Sequence, residues 1–154
     1  NLRDYDELAA KAKSVSDRYA EISERQKSLE ARLTGIADLK KHIINYSKTK
    51  QIYVAYRESG YSKKFFEAHR EEITLHKAAK DAFSKIKGKI PTIKELNAEY
   101  AQVFAEKKKT YSEYRQVRQE IKDYQTAKYN IDRFLQTEEQ EKQAEKQKQN
   151  TEVR

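Results

Sequence analysis

The sequence predicts an all-α fold: a long antiparallel helical hairpin of coiled-coil type, thickened at one end into a three-helix bundle by a shorter middle helix. Three observations carry this. Apolar residues recur in alternating steps of three and four, turn residues are nearly absent at 3 Gly and 1 Pro in 154 residues, and Gly60, Gly88 and Pro91 divide the chain into two long segments around a short one. Only 36% of the chain is hydrophobic while 38% is charged, so apolar surface must lie in narrow stripes rather than a thick core. Disorder also suits such a composition, but it does not require a fixed helical period.

The first helix is expected over residues 4–58. Its seam runs through Leu8, Ala12, Val15, Tyr19, Ile22, Gln26, Leu29, Leu33, Ile36, Lys40 and Ile43, with Gln26 and Lys40 as polar exceptions. From Leu39 a second stripe joins it through Tyr46 and Tyr53, with Ile44, Ile52 and Val54 alongside, as when a helix meets a second partner. Ser59-Gly60 is a stop signal with glycine available for the left-handed position, and Ser62 is a candidate N-cap. The middle helix, 62–87, sets Phe65, Phe66, His69, Ile73, His76, Ala79, Phe83 and Ile86 on one side. Gly88 ends it and Pro91 forbids its continuation. Thr92-Ile93-Lys94-Glu95 reads as a capping box opening a third helix over 93–136, in heptad step through Leu96, Tyr100, Val103, Lys107, Thr110, Tyr114, Val117, Ile121, Tyr124, Lys128, Ile131 and Leu135. Residues 1–136 form a single helical domain on this reading. The polar tail 137–154, with Ala144 and Val153 as its only apolar residues, is expected to be a frayed helix or disordered.

A first helix of about 50 residues spans roughly 75 Å, and the middle helix is about half as long. The middle helix cannot reach the seam from Leu8 to Leu33. The stretch Thr110 to Leu135 covers it if the long helices run antiparallel, giving an elongated monomer. The competing layout is an up-down-up bundle whose bare first half pairs with another copy.

No apolar run approaches a membrane span, no signal peptide is visible, and the absence of cysteine suits a cytoplasmic protein. The chain opens at Asn1 without an initiator Met, which suggests a piece of something longer. No catalytic constellation, cofactor motif or metal site is expected: there is no Gly-rich phosphate loop, no Cys nucleophile, and no Ser, His and Asp that spacing would bring together. His69 and His76 stand seven apart, about 10 Å, too far to grip one metal unaided, and His42 offers only a distant third imidazole. Buried, hydrogen-bonded histidines are the expected alternative.

Charge is the sharpest compositional clue. Residues 40–90 hold 13 Lys or Arg against 5 Asp or Glu, an excess equal to the +8 of the whole chain, so the long arms are neutral in sum. Lys63, Arg70 and Lys77, seven apart, form a row along the middle helix, with Lys48, Lys50, Arg57 and Lys64 nearby. Interleaved aromatics complete a pattern suited to a phosphate backbone and unstacked bases. Most of these rings belong to the apolar faces; Tyr56 and Tyr61, flanking the turn, are the two left open. The candidate nucleic-acid contacts are therefore Lys48, Lys50, Arg57, Lys63, Lys64, Arg70, Lys77, Tyr56 and Tyr61. A solvated charged face is the plain alternative.

The stretch His42-Ile43-Ile44-Asn45-Tyr46-Ser47-Lys48-Thr49-Lys50, then Tyr53, Tyr56-Arg57, Gly60-Tyr61-Ser62-Lys63-Lys64-Phe65 and His69, resembles the carboxy-terminal region of relaxases, the mobilization nucleases of conjugative elements of Gram-positive bacteria. Ile90-Pro91-Thr92, Glu95-Leu96, Glu99-Tyr100, Glu106-Lys107-Lys108, Ala127-Lys128 and Asn130-Ile131-Asp132 extend the similarity over roughly residues 20–136. Relaxases nick DNA in an amino-terminal domain with a catalytic Tyr and a His-held metal. The resemblance thus implies a non-catalytic appendage in the bacterial cytoplasm, holding DNA, a transfer-machinery protein or a second relaxase. Two readings stay open: a DNA-holding accessory domain, or a coiled-coil scaffold that docks a protein or itself.

Overall fold

A computed structural model describes residues 2–152, and all regular structure among them is helical. Four helices follow in order: α1 (Leu2–Glu58), α2 (Lys63–Ala68), α3 (Arg70–Ser84) and α4 (Ile93–Glu152). The chain falls into two compact units, one of Gln26–Lys109 and one of the chain up to Arg25 with Thr110 onward.

In the Gln26–Lys109 unit, Leu29, Leu33 and Ile36 of α1 pack with Leu96 and Val103 of α4, and Leu39 and Ile43 lie against this cluster. The polar rim runs the same way. Arg32 donates to Glu99 at 2.9 Å, and the Gln26 side-chain amide donates to the Lys107 carbonyl at 3.2 Å, so α1 numbers rise as α4 numbers fall. Further along α1, Tyr46, Thr49 and Tyr53 meet His76 of α3, whose Ile73, His76 and Ala79 are buried.

Helix α1 ends where glycine permits. The Gly60 N–H donates to the Arg57 carbonyl at 3.0 Å and the Tyr61 N–H to the Tyr56 carbonyl at 3.1 Å, the paired bonds that close a glycine-terminated helix. The pair needs left-handed backbone at Gly60 (φ 74°), and Tyr61 after it is left-handed too (φ 57°). The Ser59 hydroxyl donates to the Tyr56 carbonyl at 2.6 Å and accepts from the Ser62 N–H at 3.2 Å. Ser62 then caps α2 by accepting from the Phe65 N–H.

The middle helix is not one helix. At His69 the backbone leaves helical geometry (φ −128°, ψ 33°), its N–H shared between the carbonyls of Phe65 and Phe66, and the imidazole turned onto Phe65 with centroids 4.5 Å apart. The expected 62–87 helix is therefore corrected to α2 and α3, ending at Ser84. Thr92 Oγ1 accepts from the Glu95 N–H at 3.1 Å, and α4 starts at Ile93 as the sequence predicts.

In the other unit Val15 of α1 and Thr110 and Val117 of α4 are buried. The Tyr19 and Tyr114 hydroxyls lie 3.0 Å apart, and Arg18 reaches Glu120 at 3.4 Å. An open groove of about 290 Å³ follows, lined by Leu8, Ala9 and Ala12 with Ile121 and Tyr124. The eleven α1 seam residues named from sequence are all buried or half-buried. On α4, Tyr100, Lys128 and Leu135 depart from the pattern and are exposed. Helix α4 also continues past residue 136 to Glu152, with the side chains from Gln136 to Thr151 all exposed. Glu, Gln, Lys and Ala are strong helix formers and no breaker intervenes, so propensity carries the helix where burial does not. Residues 153 and 154 of the expected tail lie outside the described residues.

Candidate nucleic-acid interface

The basic end lies within the Gln26–Lys109 unit. Lys48, Lys50 and Arg57 are exposed on α1, Lys63 and Lys64 on α2, and Arg70 and Lys77 on α3. Because the helix breaks at His69, the Lys63, Arg70 and Lys77 row is not a single helical edge: Lys63 stands on α2 and the other two on α3. The break still leaves Arg70 and Lys77 together, each 5.7 Å from the Phe66 ring centroid.

Those two cations cover an aromatic cluster. Tyr56, in the last turn of α1, is buried, and its ring centre lies 5.3 Å from Tyr61, 6.0 Å from Phe66, 6.1 Å from Phe65 and 6.1 Å from Tyr53. Lys77 Nζ sits 5.8 Å from the Tyr56 centroid and Lys80 Nζ 4.9 Å from that of Tyr53. Tyr56 is thereby corrected from an open candidate to a core ring, closed in because both α2 and α3 fold over the end of α1. Tyr61 is 56% exposed.

None of the seven candidate cations has an ion-pair partner among the described residues. On the long helices Arg18 is matched to Glu120 and Arg32 to Glu99. Cations held over rings keep their charge available, since a quadrupole attracts without neutralising.

Beneath this surface His76 is buried, its ring stacked on Tyr46 at 4.6 Å and on Tyr53 at 4.4 Å. Its Nδ1 is 2.9 Å from Thr49 Oγ1, and the Thr49 hydroxyl donates to the Asn45 carbonyl at 2.7 Å. Burial pulls the imidazole below its ordinary value of 6.5, and nearby Lys80 adds to the effect. His42 Nδ1 is buried without a hydrogen-bond partner among the described residues, and His69 packs on Phe65. Among the described residues no three His, Cys, Asp or Glu side chains converge as a metal site, and no helix is long and apolar enough to cross a membrane.

Three features escaped the sequence reading. Lys80 is three residues past Lys77 and shares its helix face, a spacing that signals it. Thr49 is a polar residue amid an apolar stripe, but its partner lies 27 positions away and no local pattern points there. Tyr100, Phe104 and Tyr111 are exposed along α4, the first two stacked 6.3 Å apart with Lys108 over Phe104. Their steps of four and seven carry that signal. No family model matches the chain, and no characterised protein or solved structure is found to resemble it.

Proposed function

We propose that the chain is a non-catalytic helical module that holds nucleic acid through its basic end, residues 40–90. The observation that carries the reading is the set of seven exposed cations, without carboxylate partners among the described residues, at the end that holds the chain's whole +8 excess. Unpaired cations release the counterions of a phosphate backbone on contact, without first breaking an internal ion pair. The resemblance to relaxase carboxy-terminal regions gives the module its setting, as an accessory domain in conjugative DNA transfer working in the bacterial cytoplasm. In that setting α1 and α4 form an antiparallel coiled-coil hairpin, with α2 and α3 thickening its turn end into a bundle.

Replacing Lys63, Arg70 and Lys77 together by Gln tests the reading. Affinity for labelled DNA should fall, and the dependence of log affinity on log salt should flatten by about 0.7 to 0.9 for each phosphate no longer neutralised. Unchanged affinity and slope would remove this face from consideration.

A second reading, a coiled-coil scaffold that docks protein, is favoured by the exposed Tyr100, Phe104 and Tyr111 on α4. Exposed aromatics in helical step suit a partner helix. On that reading binding survives high salt and the triple Gln variant alike.

A further inference from the structure

We propose that the nucleic acid held at the basic end is single-stranded and that Tyr61 is the platform on which one of its bases stacks; this rests on the nucleic-acid reading above. Of the seven aromatic residues between Tyr46 and Phe83, the fold buries or half-buries six and leaves Tyr61 alone exposed, at 56%. Its conformation is unusual for its chemistry. The residue sits in left-handed backbone (φ 57°), a region that suits Gly and Asn and disfavours a bulky side chain.

The surrounding turn holds it there. The Tyr61 N–H is bonded to the Tyr56 carbonyl, Ser59 bridges Tyr56 and Ser62, and the Tyr56 and Tyr61 rings meet edge to face at 5.3 Å and 85°. In that arrangement Tyr61 meets Tyr56 through its edge or one face, and no other ring among the described residues contacts it. An aromatic face fixed before binding costs little ordering entropy when a base is laid on it. Arg57, Lys63 and Lys64, all exposed and without ion-pair partners among the described residues, stand within four residues of it, against Glu58 as the one carboxylate in that span.

A duplex would use the cations and ignore the ring, because its bases are already stacked on one another. An unpaired strand uses both, placing phosphates on the cations and one π-face on the tyrosine. The preference for single strands follows from that difference, and the tolerance of stacking for any base makes it independent of sequence.

The experiment uses the full chain with labelled oligo-dT of about 16 nucleotides, oligo-U of the same length and a duplex of the same length. Tyr61→Asn removes the ring but tolerates left-handed backbone, so its melting curve should match the parent. Its affinity for the single strands should drop about 5- to 150-fold, that for duplex should hold, and Tyr61→Phe should bind as the parent does. The two single-stranded arms tell DNA from RNA, and ring-dependent binding of either supports the proposal. Because the chain contains no Trp, Tyr61→Trp adds a lone reporter whose emission should be quenched by single strand and not by duplex. This second readout decides the matter if the Asn variant melts early. Single-strand and duplex affinities that respond equally to Tyr61→Asn, or not at all, overturn the stacking platform while leaving the basic-end reading in place. Absence of binding to every probe overturns both.

Discussion

His76 is poised by its surroundings rather than by its own chemistry. The Thr49 hydroxyl has one proton and gives it to the Asn45 carbonyl, so toward His76 it can only accept. That fixes the neutral ring with its proton on Nδ1 and leaves Nε2 as the atom a second proton must find, within a buried stack of two tyrosines. The folded state therefore resists protonation, while the unfolded chain takes the proton near 6.5. With the folded value depressed, the stability His76 contributes is fully present above about pH 6.5 and is lost as pH falls through the lower folded value. The melting temperature should drop on going from about pH 7.5 to pH 5, and His76→Gln should show a smaller drop over the same interval. Equal slopes would show that His76 does not carry the dependence. The sequence made part of this legible: seven-residue spacing put His76 on the apolar face of the middle helix and argued for a buried, hydrogen-bonded ring. Thr49 was not legible, because its role depends on the register between α1 and α3. Tyr56 was misjudged for a similar reason, since its place beside the turn did not reveal that two helices close over it.

Most helix ends marked by a special residue were legible. Gly60, Ser62 and the Thr92 cap stand where the sequence puts them, each satisfying backbone groups that the adjoining helix leaves unpaired, whereas α3 stops at Ser84, four residues before Gly88, its end closed by the Lys85 N–H on the Ala82 carbonyl. The break at His69 has no Gly or Pro to announce it. It is made by tertiary fit and so could not be read locally. Within α1, Gly35 is exposed, and a Cβ there would meet nothing within 4 Å. Gly35→Ala should therefore stabilise the chain by about 0.8 to 1 kcal/mol, the helix-interior difference between the two residues, raising the midpoint of thermal unfolding by about 2 to 4 °C. No increase would mean that α1 is not a continuous helix at that point. The seam offers a sharper contrast. Val117 is fully buried, so Val117→Asp strands a carboxylate in a dry contact and should cost about 3 kcal/mol or more. Ile22 is half-buried and borders an open groove, so a carboxylate there keeps contact with water. Ile22→Asp should cost about 1 to 2 kcal/mol. Equal costs from chemical denaturation would contradict this division of the seam.

Across the whole molecule, charge and apolar surface are partitioned differently. The +8 excess is confined to residues 40–90, whereas seam residues occur in both units, and this is why charge counting located the candidate site while periodicity located the helices. Which of Tyr56 and Tyr61 remains exposed belonged to neither signal and required the packed structure. The same partition bears on self-association. A second copy would need an uncovered seam, yet Val15, Leu29, Leu33 and Ile36 on α1 and Val103 and Val117 on α4 are already buried within one chain. The polar seam residue Gln26 is satisfied there as well, by the Lys107 carbonyl, so pairing between chains would first have to break that bond. What stays exposed on α4, Tyr100, Phe104 and Tyr111, then Tyr129, Phe134 and Leu135, does not continue in steps of three and four past Tyr111 and supplies no second heptad seam. The chain should therefore be monomeric at micromolar concentration, with sedimentation equilibrium returning a mass near 18.2 kDa. A concentration-independent mass of twice that value would show that the exposed aromatics suffice to pair two copies, and would make self-association the leading function.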